Sequence, residues 1–160
     1  MIMCGHDFQI RRDDLSGAAI RALLAEHLRD MHAQSPPESV HALPLDALRA
    51  ADIAFWTVWQ GEALLGCGAL RELAAEHGEI KSMRTARTQR GRGVARAMLT
   101  HILAEARRRA YRRVSLETGA QDAFEPARRL YRSAGFVDCA PFGDYGADPN
   151  SVFLTRELAP

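Results

Sequence analysis

A mixed α/β domain, with a mostly antiparallel central sheet of about seven strands flanked by about four helices, is the fold class that the sequence predicts. Three observations point to it. Short runs rich in β-branched and aromatic residues are interspersed with segments of helical period. The middle of the chain has consecutive runs joined by a tight turn, as a hairpin sheet requires. One long stripe, Val94, Met98, Ile102 and Ala106 with Leu99, Leu103 and Ala110 beside it, supplies a helix able to cover such a sheet.

The elements follow in order. Residues 8–12 read as a first strand. Ile20, Leu23, Leu24, His27, Leu28 and Met31 recur at helical spacing, which predicts a helix over 16–33. Residues 45–51 suggest a second, shorter helix. Residues 53–60 and 63–73 form a hairpin about Gly61-Glu62. Gly66 and Gly68 inside it mark a bulge or close packing. Residues 79–85 make the fourth strand, with Glu79, Lys81 and Met83 on one face and Ile80, Ser82 and Arg84 on the other. The long helix comes next, then a strand over 113–118. A helix over 126–134 is opened by Pro126 and closed by Gly135. Strands over 136–142 and 152–158 complete the sheet.

At 160 residues and 47% hydrophobic, the chain suffices for one core, so residues 1–160 are read as a single domain. The formal charge of +1 gives no bulk attraction to nucleic acid or membranes. No apolar run approaches the roughly 20 residues that span a bilayer. The first ten residues have no signal-like apolar core. The three cysteines, Cys4, Cys67 and Cys139, are far apart and suit a reducing compartment. A cytoplasmic protein is expected, and a homodimer is compatible with the sequence.

The chemistry concentrates between the fourth strand and the long helix. Arg90-Gly91-Arg92-Gly93-Val94-Ala95 places small residues at a helix start. Small side chains let a ligand approach the backbone. First-turn amides are unpaired and carry partial positive charge, so this is an anion site suited to a pyrophosphate. Arg90 and Arg92 add mobile positive charge. No Gly-Lys-Ser/Thr follows, so it is not a P-loop. The spacing also differs from the dinucleotide fingerprint. Taken alone, the hexapeptide is equally compatible with a tight turn carrying solvated arginines.

A second segment, Ala127-Arg128-Arg129-Leu130-Tyr131-Arg132-Ser133-Ala134-Gly135-Phe136, pairs Leu-Tyr with a following Gly-Phe. With these two motifs in this order, the chain resembles the GNAT superfamily of N-acetyltransferases along essentially its whole length. Its end, Pro141-Phe142-Gly143-Asp144-Tyr145 and Asp148-Pro149-Asn150-Ser151-Val152-Phe153, is similar to a bacterial acetyltransferase branch. The resemblance implies acetyl-CoA or a related acyl-CoA as donor. It implies that the backbone of Met83-Arg84-Thr85 pairs with the pantetheine arm, that the amides from Gly91 to Ala95 take the pyrophosphate, and that Tyr131 sits near the thioester sulfur. One position departs from the pattern: Phe124 stands where the family often has an asparagine that contacts the pantetheine. The resemblance also assigns acceptor choice to residues 33–45 and 143–151. The acceptor itself is an amine of a small molecule or peptide.

An alkylamine of pKa near 10.4 is only about one part in a thousand neutral at pH 7, so a general base helps acyl transfer. Glu79 is the candidate, its offset from Arg90 resembling that of the catalytic glutamate in the histone acetyltransferase branch. The competing reading is a surface carboxylate paired to Lys81. Glu117 and a water relay are the alternatives for the base. Tyr131 is the candidate acid for the leaving thiolate; the alternative is a packed core-edge tyrosine. A catalytically silent acyl-CoA-binding regulatory module would carry the same cofactor loop and is the competing function. No metal site is expected: the histidines are scattered, and Cys4-Gly5-His6 is an isolated pair of ligand types. Cys67 and Cys139 read as packing residues. Arg107-Arg108-Arg109 and Arg112-Arg113 read as a solvated helix end.

Overall fold

Seven strands share one sheet in the computed structural model, which describes residues 7–159. They are β1 (Gln9–Arg12), β2 (Ile53–Gln60), β3 (Ala63–Ala74), β4 (His77–Thr85), β5 (Arg113–Gly119), β6 (Val137–Asp138) and β7 (Ser151–Glu157). The helices are α1 (Ala18–Gln34), α2 (Val94–Arg108) and α3 (Glu125–Ser133). The spatial order is β1-β2-β3-β4-β5-β7-β6. The β4–β5 pair is parallel, and the others are antiparallel. This is the predicted fold class. No described helix is long and apolar enough to cross a membrane. Cys4-Gly5-His6 lies outside the described residues.

The sheet buries both faces, and β2 shows why its residues suit it. Ala54, Trp56 and Val58 enter one apolar layer with the α2 stripe Val94, Met98, Leu99, Ile102, Leu103 and Ala106. Ile53 and Phe55 enter the other, with Ile20, Leu23 and Leu24 of α1. Period two in the strand thus meets period 3.6 in each helix. The strand glycines bring α2 close. A Cβ on Gly68 would lie 2.7 Å from Met98 Cγ and 2.8 Å from Met83 Sδ. One on Gly66 would lie 2.6 Å from Arg84 O. All three contacts are far inside van der Waals separation.

Three expectations need correction. Three α-helices are described, not four, because 45–51 holds only a 3₁₀ turn at Ala47–Arg49. Between Pro44 and the start of β2 there is too little chain to offset helix nucleation, and Leu48 alone anchors the segment in the α1-side layer. The expected strand over 136–142 shrinks to Val137–Asp138. Phe136 turns into the core, Cys139 N–H makes one last bond to Phe153 O at 3.0 Å, and Pro141 has no N–H to continue the ladder. The chain then leaves as a loop.

The third correction concerns the faces of β4. Its pairing with β3 shifts register, from Ala69↔Lys81 to Cys67↔Arg84. Ser82 takes up the extra residue at φ 55, left-handed backbone that a non-glycine residue adopts only under tertiary constraint. Beyond this bulge the alternation inverts. Met83 packs beside Met98 with Ile80's layer, and Arg84 turns to α1, where it meets Glu26 at 2.9 Å and Asp30 at 2.5 Å.

Candidate active site

The parallel strands β4 and β5 pair only from His77↔Arg113 to Glu79↔Ser115. Beyond that point they part, although β4 continues to Thr85 and β5 to Gly119. The β5-side edge of β4 therefore lacks a strand partner along Met83, Arg84 and Thr85, and a cleft opens there. Its wider part, about 730 Å³, runs from Met83, Arg84 and Thr85 to Arg90, Gly91, Gly93, Val94 and Ala95. Its deeper part, about 130 Å³, reaches Glu79, Lys81, Glu117 and Tyr145.

The loop at the wide end is shaped by two left-handed glycines, Gly91 at φ 78 and Gly93 at φ 82. A Cβ built on either meets nothing within 4 Å. Backbone conformation therefore requires glycine here, and the space outside stays clear for a ligand. Gly93 caps α2, and Ala97 N–H bonds back to Gly93 O at 3.0 Å; the first-turn amides before it lie outside the helix ladder, and their residues line the cleft. The arginines divide. Arg90 is exposed and lines the cleft. Arg92 instead donates to Gln89 Oε1 at 2.5 Å and Gln60 Oε1 at 2.6 Å, with its guanidinium over the Phe8 ring. The mobile charge expected of Arg92 is thus committed elsewhere, and only its backbone amide remains. The side chain of Arg84 is likewise held in the α1 ion cluster, which leaves its backbone to the cleft.

At the deep end, Glu79 is 2% exposed, not a surface carboxylate. Its Oε2 accepts the Tyr145 hydroxyl at 2.5 Å and faces Lys81 Nζ at 3.5 Å. Lys81 Nζ donates to the same Tyr145 hydroxyl at 2.8 Å and to His41 O at 3.1 Å. Burial, then the charge of Glu79, holds the Tyr145 phenol far above its ordinary pKa. Glu117 accepts from Ser151 Oγ at 2.7 Å, and burial raises its carboxyl above the usual range. Loops 35–42 and 139–150 close the chamber. Ser39 Oγ donates to Asp148 Oδ2 at 2.6 Å, and Asn150 Nδ2 to Ser39 Oγ at 3.3 Å. The His41 ring meets Tyr145 edge-on at 5.0 Å.

Tyr131 lies between the two ends and lines both. It is 6% exposed, its ring meets Phe136 at 5.8 Å, and its hydroxyl has no hydrogen-bond partner among the described residues. Burial keeps that hydroxyl protonated well beyond neutral pH. Phe124 packs so closely on Gly119 that a Cβ there would lie 2.2 Å from its ring. The position that departs from the family pattern is thus an apolar wall of the cleft.

The acetyltransferase (GNAT) family matches residues 20–136 of this chain. The chain belongs to the GNAT family. Membership makes it an acyl-CoA-dependent N-acyltransferase with acetyl-CoA as donor. It is similar to YsnE of Bacillus subtilis strain 168, an uncharacterised N-acetyltransferase, with 56% identity over 93% of this chain and 99% of the relative. It is 51% identical to YedL of Escherichia coli K12, another uncharacterised N-acetyltransferase, over 94% of this chain and 95% of the relative. A solved Klebsiella pneumoniae candidate acyl-CoA N-acyltransferase superposes with a TM-score of 0.77 at 25% identity, covering 96% and 99% of the two chains.

Within this GNAT domain, Glu79 and Glu117 come together at one chamber, and the 90–95 loop and Tyr131 sit along the same cleft. Tyr145 was not legible as a site residue from spacing. The available signal was an aromatic pair, Phe142 and Tyr145, in an otherwise Gly/Asp/Pro-rich loop. His27, which helical spacing places in an apolar stripe, lines the cleft. The remaining candidates are structural. The Cys67 thiol is buried and pushed up to about 12, and burial raises that of Cys139. Arg108 and Arg109 pair with Glu105, and Arg112 with Glu76.

Proposed function

We propose that this enzyme transfers the acetyl group of acetyl-CoA to the amine of a small molecule by direct attack in a ternary complex. Glu79 would act as base through Tyr145, and Tyr131 as acid. The supporting observation is that one cleft, opened where β4 leaves β5, joins an anion-suited loop to a buried carboxylate chamber, with Tyr131 between them.

The residues present fit the donor. The free β4 edge at Met83-Arg84-Thr85 can pair with an extended amide chain, and the amides from Gly91 to Ala95 suit a pyrophosphate. Arg90 can add charge-assisted contacts. Bound acetyl-CoA supplies the activated acyl group.

Glu79 and Glu117 draw an ammonium into the chamber. The Tyr145 oxygen accepts one hydrogen from Lys81 and retains capacity for a second. It can take an amine proton while passing its own hydrogen to Glu79 at 2.5 Å. The freed nitrogen attacks the thioester carbonyl, the C–S bond breaks, Tyr131 protonates the departing sulfur, and the second proton that the acylated nitrogen sheds restores the Tyr131 hydroxyl. Because the Ser39–Asp148–Asn150 clasp closes a chamber of about 130 Å³, a small molecule fits better than a peptide chain.

A second reading of the base rests on Glu117. Its carboxyl lines the same chamber, and burial raises its pKa in the direction that a general base requires. Free-thiol release from acetyl-CoA with a panel of small primary amines tests the function. An enzyme releases CoA, whereas a silent binding module binds acetyl-CoA and releases none.

A further inference from the structure

Six residues line both ends of the cleft: His27, Met31, Met83, Phe124, Ala127 and Tyr131. If the donor occupies the wide end and the acceptor the deep end, transfer takes place among these six. Four have apolar side chains. Tyr131 is assigned to the leaving sulfur, which leaves His27 as the other polar side chain at the junction.

His27 is 8% exposed on α1, and its Nδ1 is fully buried with no hydrogen-bond partner. Nε2 has no protein partner either but is not fully buried, and the residue lines the cleft. These two facts select a tautomer. A proton on Nδ1 would bury an N–H with no acceptor, a rarer and costlier situation than burying an unpaired lone pair. The neutral ring therefore carries its hydrogen on Nε2. A doubly protonated ring would bury the same orphan N–H. In accord with this, burial and then the charge of Arg84 lower the His27 pKa to about 4.

A neutral N–H at this junction can serve only a hydrogen-bond acceptor. An attacking amine must aim its lone pair at the carbonyl carbon, so it is not the partner. The carbonyl oxygen of the thioester gathers negative charge as the nitrogen bonds to carbon. A fixed donor in a site shielded from water stabilises charge that develops in this way. We infer that His27 is a further catalytic residue, whose Nε2–H donates a hydrogen bond to the thioester carbonyl oxygen of bound acetyl-CoA. The inference rests on the proposed function above. The imidazole keeps its hydrogen throughout: the amine proton leaves through the base, and the sulfur proton comes from the acid.

The experiment uses the whole enzyme and three forms of residue 27. His27→Phe keeps a ring and removes the donor, and it is expected to lower kcat about a hundredfold, on the scale of losing one such donor. The dissociation constant for CoA should stay within about twofold of the wild-type value, since CoA lacks the acyl carbonyl that would accept this hydrogen bond. His27→Gln restores an N–H and should recover much of the rate. In the 15N-labelled wild-type enzyme, Nε2 should be the protonated nitrogen, and its hydrogen should shift downfield with acetyl-CoA but not with CoA. Wild-type kcat in His27→Phe, an equal loss of CoA affinity, or a proton on Nδ1 would each overturn the inference. The proposed function fails separately, if the wild-type enzyme itself binds no acetyl-CoA or acetylates no amine.

Discussion

The Tyr145 hydroxyl lies 2.5 Å from Oε2 of Glu79, so a loop residue completes the hydrogen bonding of a carboxylate buried on β4. Lys81 donates to the same hydroxyl at 2.8 Å. The three groups form a unit in which the charges of Glu79 and Lys81 oppose one another, and Tyr145 is the member that loop 139–150 brings over the chamber.

Replacing Tyr145 by Phe removes the relay and leaves the ring contacts to Phe142 and Phe153. Turnover should fall roughly ten- to a hundredfold, with the acetyl-CoA Michaelis constant little changed. Steady-state kinetics with each substrate varied in turn will show this; unchanged kcat would remove Tyr145 from the proton path.

Glu79→Gln keeps the size and removes the charge. Turnover should fall, and the deficit should shrink as pH rises and free amine becomes abundant. Because Lys81 then loses the opposing charge at 3.5 Å, the acceptor Michaelis constant should rise as well. A pH–rate profile separates the effects: a lost base removes the acidic limb, whereas repulsion acts on acceptor binding. An unaltered profile would move the base role to Glu117 or to water.

Glu117 makes a stability prediction of known sign. Burial raises its folded-state pKa above the ordinary value of 4.5. The folded state therefore holds its proton more tightly than the unfolded one. The contribution of Glu117 to stability is fully present below about pH 4.5 and is lost as pH rises through the folded pKa. Glu117→Gln, which stays neutral and can still accept from Ser151, should raise the melting temperature at pH 7 and change it little at pH 3.5. Thermal melts at the two pH values decide; equal effects at both would mean that ionisation is not involved.

Tyr131→Phe should lower turnover roughly ten- to a thousandfold, the range for a general acid, while acetyl-CoA affinity changes much less. The hydroxyl has no protein partner to lose, so the melting temperature should also hold. Wild-type turnover would make Tyr131 a packing residue.

The layers of the fold were legible because apolar periodicity is local: the β2 alternation and the α2 stripe each name their buried face without tertiary information. The β4 bulge was not. Nothing about Ser82 itself demands φ 55; the constraint comes from the β3 register and from Met83 and Arg84 each finding its partner on opposite faces. The turn at 90–95 is legible, since Gly91 and Gly93 report backbone conformation directly. The hold on the Arg92 side chain is not legible, because its partners Gln60 and Gln89 meet it only in three dimensions. Tyr145 lies in the 143–151 stretch beyond the expected strand, and its contact with Glu79, 66 residues away in sequence, exists only in the folded chain.

The most direct test of the cleft as the donor site is an amide-resolved NMR titration of the 15N-labelled enzyme with acetyl-CoA. The amides of Gly91, Gly93, Val94 and Ala95 and those of Met83 to Thr85 should move together, while β1 and β2 stay still. In Gly93→Glu the added carboxylate should abolish the shifts and the thermal stabilisation by acetyl-CoA. Saturable binding that leaves the 91–95 amides unmoved, or wild-type affinity in Gly93→Glu, would contradict the assignment of this cleft.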